Sequence, residues 1–188
     1  MAGELLHKAT IMDRQQMARV MRRMANEVLE RNRGVEGLVL IGIRTRGVPL
    51  AEFLAAEIER LEQRQVPIGV LDITLYRDDL STIAPQPVVK DSQVPADLEG
   101  CTVLLCDDVL YTGRTVRAAL DALMDYGRPK AVELAVLIDR GHRELPIHAD
   151  FVGEYVRTSA SEVIKVSFAA TDQGNESVQI HELASAGE

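Results

Sequence analysis

The sequence predicts an α/β protein in which a central, mostly parallel sheet is flanked by helices. Three observations lead there. The short apolar runs GLVLIGI (37–43), CTVLLC (101–106) and AVELAVLID (131–139) have the length and composition of strands buried on both faces. Stretches of helical periodicity separate them, and alternating strands and helices imply parallel pairing through crossover connections. The third observation is where charge falls: the turns RTRG (44–47), DDVLYTGRT (107–115) and DRGH (139–142) each follow a strand and carry charged residues. A purely structural turn needs only Gly, Asn or Ser there. Ligands of open α/β sheets bind beyond the carboxyl ends of the strands, so these three turns form the candidate site.

Each element has its own justification. In residues 13–33, Met17, Val20, Met21, Met24, Val28 and Leu29 recur at helical spacing, Asp13 with Gln16 makes a capping box, and Gly34 is the expected stop. The strand 37–43 follows, then a helix from Val48 to Gln63 and the β-branched strand VPIGVLDITLY (66–76). The stretch 77–100 is rich in Pro, Asp and Ser and too long for a plain connection, which suits a flexible lid loop at about 76–100. A strand at 101–106, a helix at 114–126 and a strand at 131–139 come next. DFVGEYV (150–156), VIKVSF (163–168) and SVQIHEL (177–183) read as shorter strands.

With 188 residues, 46% of them apolar and 27% charged, a single domain spanning 1–188 is expected. A formal charge of −8 argues against general electrostatic attraction to nucleic acid. No apolar run approaches the ~20 residues of a membrane span, and MAGELLHKAT lacks a secretory core, so a cytoplasmic location away from membranes is expected. Cys101 and Cys106 sit about 17 Å apart on one strand, beyond disulfide reach.

The turn after Cys106 carries the chemistry. Thr112, Gly113, Arg114 and Thr115 lead into a helix, so their amides point out of a positive dipole end beside two hydroxyls, a ready phosphate cradle. It matches neither a Walker loop nor a dinucleotide fingerprint. Asp107 and Asp108 precede it and can accept hydrogen bonds from two ribose hydroxyls or favour a divalent ion. The bland alternative is an acidic pair that caps a turn at a helix start.

DDVLYTGRT resembles the phosphoribosyl pyrophosphate (PRPP) motif of type I phosphoribosyltransferases. GIRTRGVPLA (42–51), LDITLYRDDL (71–80) and VLIDRGHRELPIHADFVG (136–153) add a closer resemblance to the PyrR branch, regulators of pyrimidine operons with uracil phosphoribosyltransferase activity. The resemblance implies the type I fold with a small hood and a lid. It implies that Asp107, Asp108 and Arg77 are catalytic and that Val109, Leu110, Tyr111, Thr112, Gly113, Arg114 and Thr115 wrap the 5′-phosphate. Arg44, Thr45, Arg46 and Gly47 would take the pyrophosphate. Asp139, Arg140 and Val163 would lie near the base. Mg²⁺ would come mainly with PRPP and could touch Asp107 or Asp108. Uracil and UMP are the implied substrate and product, and a homodimer or homotetramer the implied assembly.

The same branch binds leader mRNA when loaded with UMP. Arg19, Arg22, Arg23 and Asn26 lie on the face of the first helix opposite the Met/Val stripe, and Arg143 and His148 could extend a basic patch. The alternative is a solvated face with pairs such as Arg23–Glu27 and Arg31 beside Glu27 and Glu30. Two departures bear on this. Where the family usually reads G-K-N-[IV]-P-T-S, this chain has GEYVRTS (153–159), and the helix carries Arg22 and Asn26 where close relatives carry Thr and His. A plain salvage phosphoribosyltransferase without RNA binding, or a non-catalytic sensor, are the competing expectations.

Overall fold

The computed structural model describes residues 5–76, 92–95 and 97–183. Helix α1 (Arg14–Asn32) starts as the capping box requires. Gln16 N–H donates to Asp13 Oδ1 at 2.8 Å, and Asp13 N–H donates to Gln16 Oε1 at 2.9 Å. Its Met17, Met21, Met24 and Val28 are buried. The left-handed residue that ends it is Arg33, and Gly34 N–H closes onto Leu29 O at 3.0 Å.

Strand β2 (Leu38–Ile43) is buried throughout, as its unbroken apolar run predicts. With β3 (Ile68–Leu71), β4 (Thr102–Leu110), β5 (Ala131–Asp139) and β6 (Phe151–Tyr155) it forms, among the described residues, a five-stranded parallel sheet in the order β3-β2-β4-β5-β6. Successive side chains alternate between the two faces. Leu40, Leu104, Leu137 and Phe151 meet α1 and α2 (Gly47–Glu62) on one side. Ile41, Val103, Leu105 and Val136 meet α3 (Arg114–Met124) on the other.

A second, antiparallel sheet of β1 (Leu5–Met12), β8 (Ser177–Leu183) and β7 (Glu162–Ser167), in the order β1-β8-β7, forms the expected hood. Strand β1 was not expected. Most of its residues are exposed and none of its pattern alternates, and it is a strand because its backbone pairs with β8 through two register shifts.

Three expected boundaries move. The strand anticipated over 66–76 ends at Leu71, because Asp72 Oδ1 accepts Thr74 N–H at 2.9 Å and turns the chain into a 3₁₀ segment at Thr74–Tyr76. Strand β4 runs on to Leu110, so the acidic pair lies inside the strand instead of after it, and Cys101 lies just before it. Arg77 and the centre of the expected lid lie outside the described residues. The far end of that segment is packed: Val70 and Gln93 exchange backbone hydrogen bonds at 2.8 Å, Ser92 Oγ accepts Asp72 N–H at 2.9 Å, and Leu98 is fully buried. No helix among the described residues is long and apolar enough to cross a membrane.

Candidate active site

Strand β4 delivers Asp107 and Asp108 to the carboxyl edge of the sheet, Asp107 buried and Asp108 half-buried. Each is steadied by the next amide, Asp108 N–H on Asp107 Oδ1 and Val109 N–H on Asp108 Oδ1, both at 2.9 Å. Burial pushes the Asp107 carboxyl well above the usual range, and the charge of Asp108 adds to it. Burial raises Asp108 as well, against hydrogen bonds from Asp107 and the Val109 amide and the nearby charge of Arg46. Two carboxylates held partly dry await compensation from a cation, a metal or sugar hydroxyls.

The turn expected to hold phosphate follows. Gly113 opens α3 in the left-handed region (φ 92°), and a Cβ there would meet Leu145 and Ile147 at 3.4 Å. Thr112 Oγ1 accepts Arg114 N–H at 3.3 Å. Tyr111, Arg114 and Thr115 are exposed and Thr112 is half-buried, so this stretch can meet a ligand. Val109 and Leu110 are strand residues whose side chains pack into the core on opposite faces of the sheet, and the exposed part of the stretch begins at Tyr111.

The segment after β5 braces this turn. Arg143 donates to both Asp139 oxygens (2.7 and 2.6 Å), to Tyr111 O at 2.6 Å and to Ile147 O at 3.0 Å. The amides of Glu144 and Leu145 donate to Thr112 O, and the Glu144 carboxylate holds Arg114 at 2.7 Å. Arg140 is buried: it donates to Thr158 Oγ1, Ser159 O and Glu162 O and lies 4.1 Å from the Tyr111 ring centroid. The guanidinium of Arg140 and the carboxylate of Asp139 are thus engaged in scaffolding. Val163 is half-buried on β7, opposite His181, in the strand that packs against β4.

The Arg44–Gly47 loop stands across from the acidic pair. Its Arg44–Thr45 peptide is cis, and Thr45 is exposed. Gly47 begins α2 so close to β4 that an added Cβ would sit 2.1 Å from Cys106 O. The Arg46 guanidinium reaches the hood, donating to Asp172 Oδ1 at 2.9 Å.

The residues expected to meet RNA divide. Arg19, Arg22 and Asn26 are exposed on α1, and His148 is exposed beyond β5. Arg23 is spent as a tether: it pairs with Glu27 at 2.6 Å, as the spacing predicts, and also donates to Gly153 O on β6. Arg143 is committed to the brace just described. Arg31 bridges Glu133 and Asp150 at 2.9 and 2.8 Å in place of Glu27 and Glu30. A cleft of about 580 Å³ opens between α1 and the end of β6, lined by Arg19, Val20, Glu154, Tyr155 and Arg157 among others. Tyr76 packs its ring against the α3-side core and donates its hydroxyl to Asp125.

Comparison with known proteins agrees with this geometry. Residues 7–170 match the phosphoribosyl transferase domain model. The bifunctional protein PyrR of Deinococcus deserti is 59% identical over 176 residues, covering 94% of this chain and 96% of that protein. The PyrR of Thermus thermophilus is 56% identical over 175 residues, covering 93% and 96%. Among solved structures, a Staphylococcus aureus hypoxanthine phosphoribosyltransferase shares the fold with a TM-score of 0.68 at 18% identity, covering 92% of each chain. A Trypanosoma cruzi hypoxanthine phosphoribosyltransferase does so at 0.71 and 15%, covering 93% of this chain and 91% of its own. A carboxylate pair on a parallel strand, a left-handed glycine opening the next helix and the likeness at this identity lead to one conclusion: the chain belongs to the PyrR family of phosphoribosyltransferases.

Proposed function

We infer that the chain transfers phosphoribose from PRPP to uracil, giving UMP and pyrophosphate, and that with UMP bound it regulates pyrimidine synthesis by binding leader mRNA. The observation that carries the enzyme half is the half-dry Asp107–Asp108 pair, set between an amide-rich turn and an arginine-bearing loop. Departure of pyrophosphate from C1 builds positive charge on the ribose. Asp107 and Asp108 stabilise that charge and orient the ribose hydroxyls. The amides and hydroxyls at 111–115 hold the 5′-phosphate at the positive end of α3. Thr45, Arg46 and Gly47 receive the leaving group. The oxygen donors of the acidic pair suit Mg²⁺, which would neutralise charge on the pyrophosphate. The direct test is UMP formation from PRPP and uracil, with cytosine and purine bases as comparisons. A preference for another base would sink the uracil assignment.

Arg143 is expected to matter through the phosphate turn. Arg143→Ala removes the donor to Tyr111 O and takes from Asp139 its ion-pair partner, leaving it the Gly141 amide, so UMP should bind about tenfold more weakly, with Arg143→Lys intermediate. Calorimetric titration with UMP checks this.

The RNA half is supported by the exposed Arg19, Arg22 and Asn26 beside a cleft bearing Tyr155 and Arg157. Arg19→Ala is the cleaner probe, since Arg23→Ala also cuts the tether to β6. UMP-enhanced binding of leader RNA that weakens several-fold in Arg19→Ala is the expected result. The second reading, a salvage enzyme without RNA binding, draws on Glu154 at the lip of the cleft and on the commitment of Arg23 and Arg143 to internal contacts. Weak binding that ignores UMP would favour it. The chain is proposed to work as a homodimer or homotetramer, which gel filtration reads directly.

A further inference from the structure

The turn between β7 and β8 carries a carboxylate that the catalytic scheme does not use. Asp172 is largely buried, with its side chain 17% exposed. Its Oδ2 accepts Phe168 N–H at 3.0 Å and the Thr171 hydroxyl at 2.7 Å, so its place is set by the turn itself. The other oxygen, Oδ1, accepts from Arg46 Nη at 2.9 Å. Burial alone would push this carboxyl up, but the Thr171, Phe168 and Arg46 hydrogen bonds outweigh it and hold it below the usual range. It is therefore a fixed negative charge across the neutral pH range.

Arg46 is the last residue before α2 and stands between two anionic neighbours. One is Asp172 on the hood. The other is Asp108 on β4, whose carboxyl feels the guanidinium charge. The Arg46 Nε is buried and has no hydrogen-bond partner among the described residues, so one edge of the guanidinium is tied and another is unmatched. A cavity of about 250 Å³ lies against the same contact, lined by Arg44, Thr45, Ala170 and Thr171 among others, where the loop and the hood turn face one another.

An acidic side chain beside a loop that receives pyrophosphate repels the ligand, so its presence needs a reason. An arginine left free here would fall toward the Asp107–Asp108 pair and neutralise the charges that the ribose is to meet. We propose that Asp172 is a positioning residue for the transfer reaction: it anchors Arg46 to the hood, keeping the guanidinium off the acidic pair and aimed at the pyrophosphate of PRPP. The inference rests on the assignment of the 45–47 loop to pyrophosphate. It makes the hood turn part of PRPP recognition, through a contact that joins the two sheets.

The test is a double-mutant cycle on the full chain with Asp172→Asn, Arg46→Ala and the two combined. Binding of inorganic pyrophosphate with Mg²⁺ is followed by calorimetry, alongside the KM for PRPP, kcat and the melting temperature. Asp172→Asn is expected to weaken pyrophosphate binding and raise KM for PRPP about tenfold, with a smaller change in kcat. Asp172→Glu should recover part of the loss. In the Arg46→Ala background, Asp172→Asn should change pyrophosphate binding by less than twofold. If Arg46→Ala itself leaves pyrophosphate binding intact, the assignment of the loop falls and the proposal with it. If Arg46→Ala weakens binding but Asp172→Asn does not, or weakens it equally in both backgrounds, the proposal alone falls. Tighter pyrophosphate binding by Asp172→Asn would also overturn it, because Asp172 would then compete for Arg46 instead of positioning it.

Discussion

Asp108→Asn is expected to lower the rate of phosphoribosyl transfer by about 100-fold or more, while melting no lower than the parent chain at neutral pH. On the proposed mechanism, the loss of rate follows from removing a carboxylate that would face developing positive charge. The tolerance follows from burial. Asp107 and Asp108 both have folded-state carboxyls raised above the ordinary value of 3.8, so the folded chain holds their protons more tightly than the unfolded chain does. Below that ordinary value the penalty is absent, and stability is lost as pH rises through the raised folded-state values. Asn carries no charge, so the variant should show a flatter dependence of melting temperature on pH. Asp107→Asn should flatten it further, because Asp107 is the more buried of the two. Thermal melts between pH 4 and 8, set beside the transfer assay, check both halves. An active Asp108→Asn variant would remove Asp108 from the chemistry, and an unchanged pH slope would show that the charge is already compensated in the free protein.

Gly47→Ala is expected to damage stability and activity together. A Cβ at position 47 would lie 2.1 Å from Cys106 O and 3.2 Å from Asp107 Cα, and backbone atoms cannot swing aside as a side chain would. Either β4 or the start of α2 must shift, at a cost of about 2–3 kcal/mol by analogy with overpacked cores. For a chain of this size that is a fall of about 5–10 °C in melting temperature. The displaced atoms belong to the Cys106–Asp107 backbone and to the loop facing it, so the gap between the groups proposed to hold ribose and pyrophosphate widens. Reactions that depend on such alignment lose rate steeply with small displacements. Circular dichroism melts and steady-state kinetics would read the two effects. A variant that melts normally would mean that α2 slides along the sheet without strain.

Much of the architecture could be read locally. The Met stripe and capping box of α1, the fully apolar β2 and the strand–turn–helix around Gly113 are written in short-range periodicity and turn chemistry, and they appear where expected. The turn proposed to hold phosphate was legible as a turn for the same reason, since an acidic pair, a glycine and two threonines leading into a helix are close neighbours in the chain. Strand β1 was not legible, because an exposed strand without alternation owes its conformation to pairing with β8, more than 160 residues away in sequence. The end of β3 was missed because Asp72 and Thr74 form a local hydrogen bond that overrides β-branched propensity.

The sequence by itself thus determined most of the strands and helices, though not β1 or the end of β3, and where charge meets the carboxyl edge of the sheet. Tertiary structure alone decided what each charged side chain is used for. Arg19 and Arg23 look alike on a helical wheel, yet one is open to solvent and the other is bound to Gly153 O on β6. Arg143 looked like a surface cation and is instead a brace for the turn at 111–115. Asp172 gave no signal in the chain, because its meaning comes from Arg46, which lies 126 residues earlier and is brought to it only when the hood closes over the sheet. Periodicity is a property of neighbours in sequence. The partner of a long charged side chain is a property of neighbours in space, and only the folded chain supplies those.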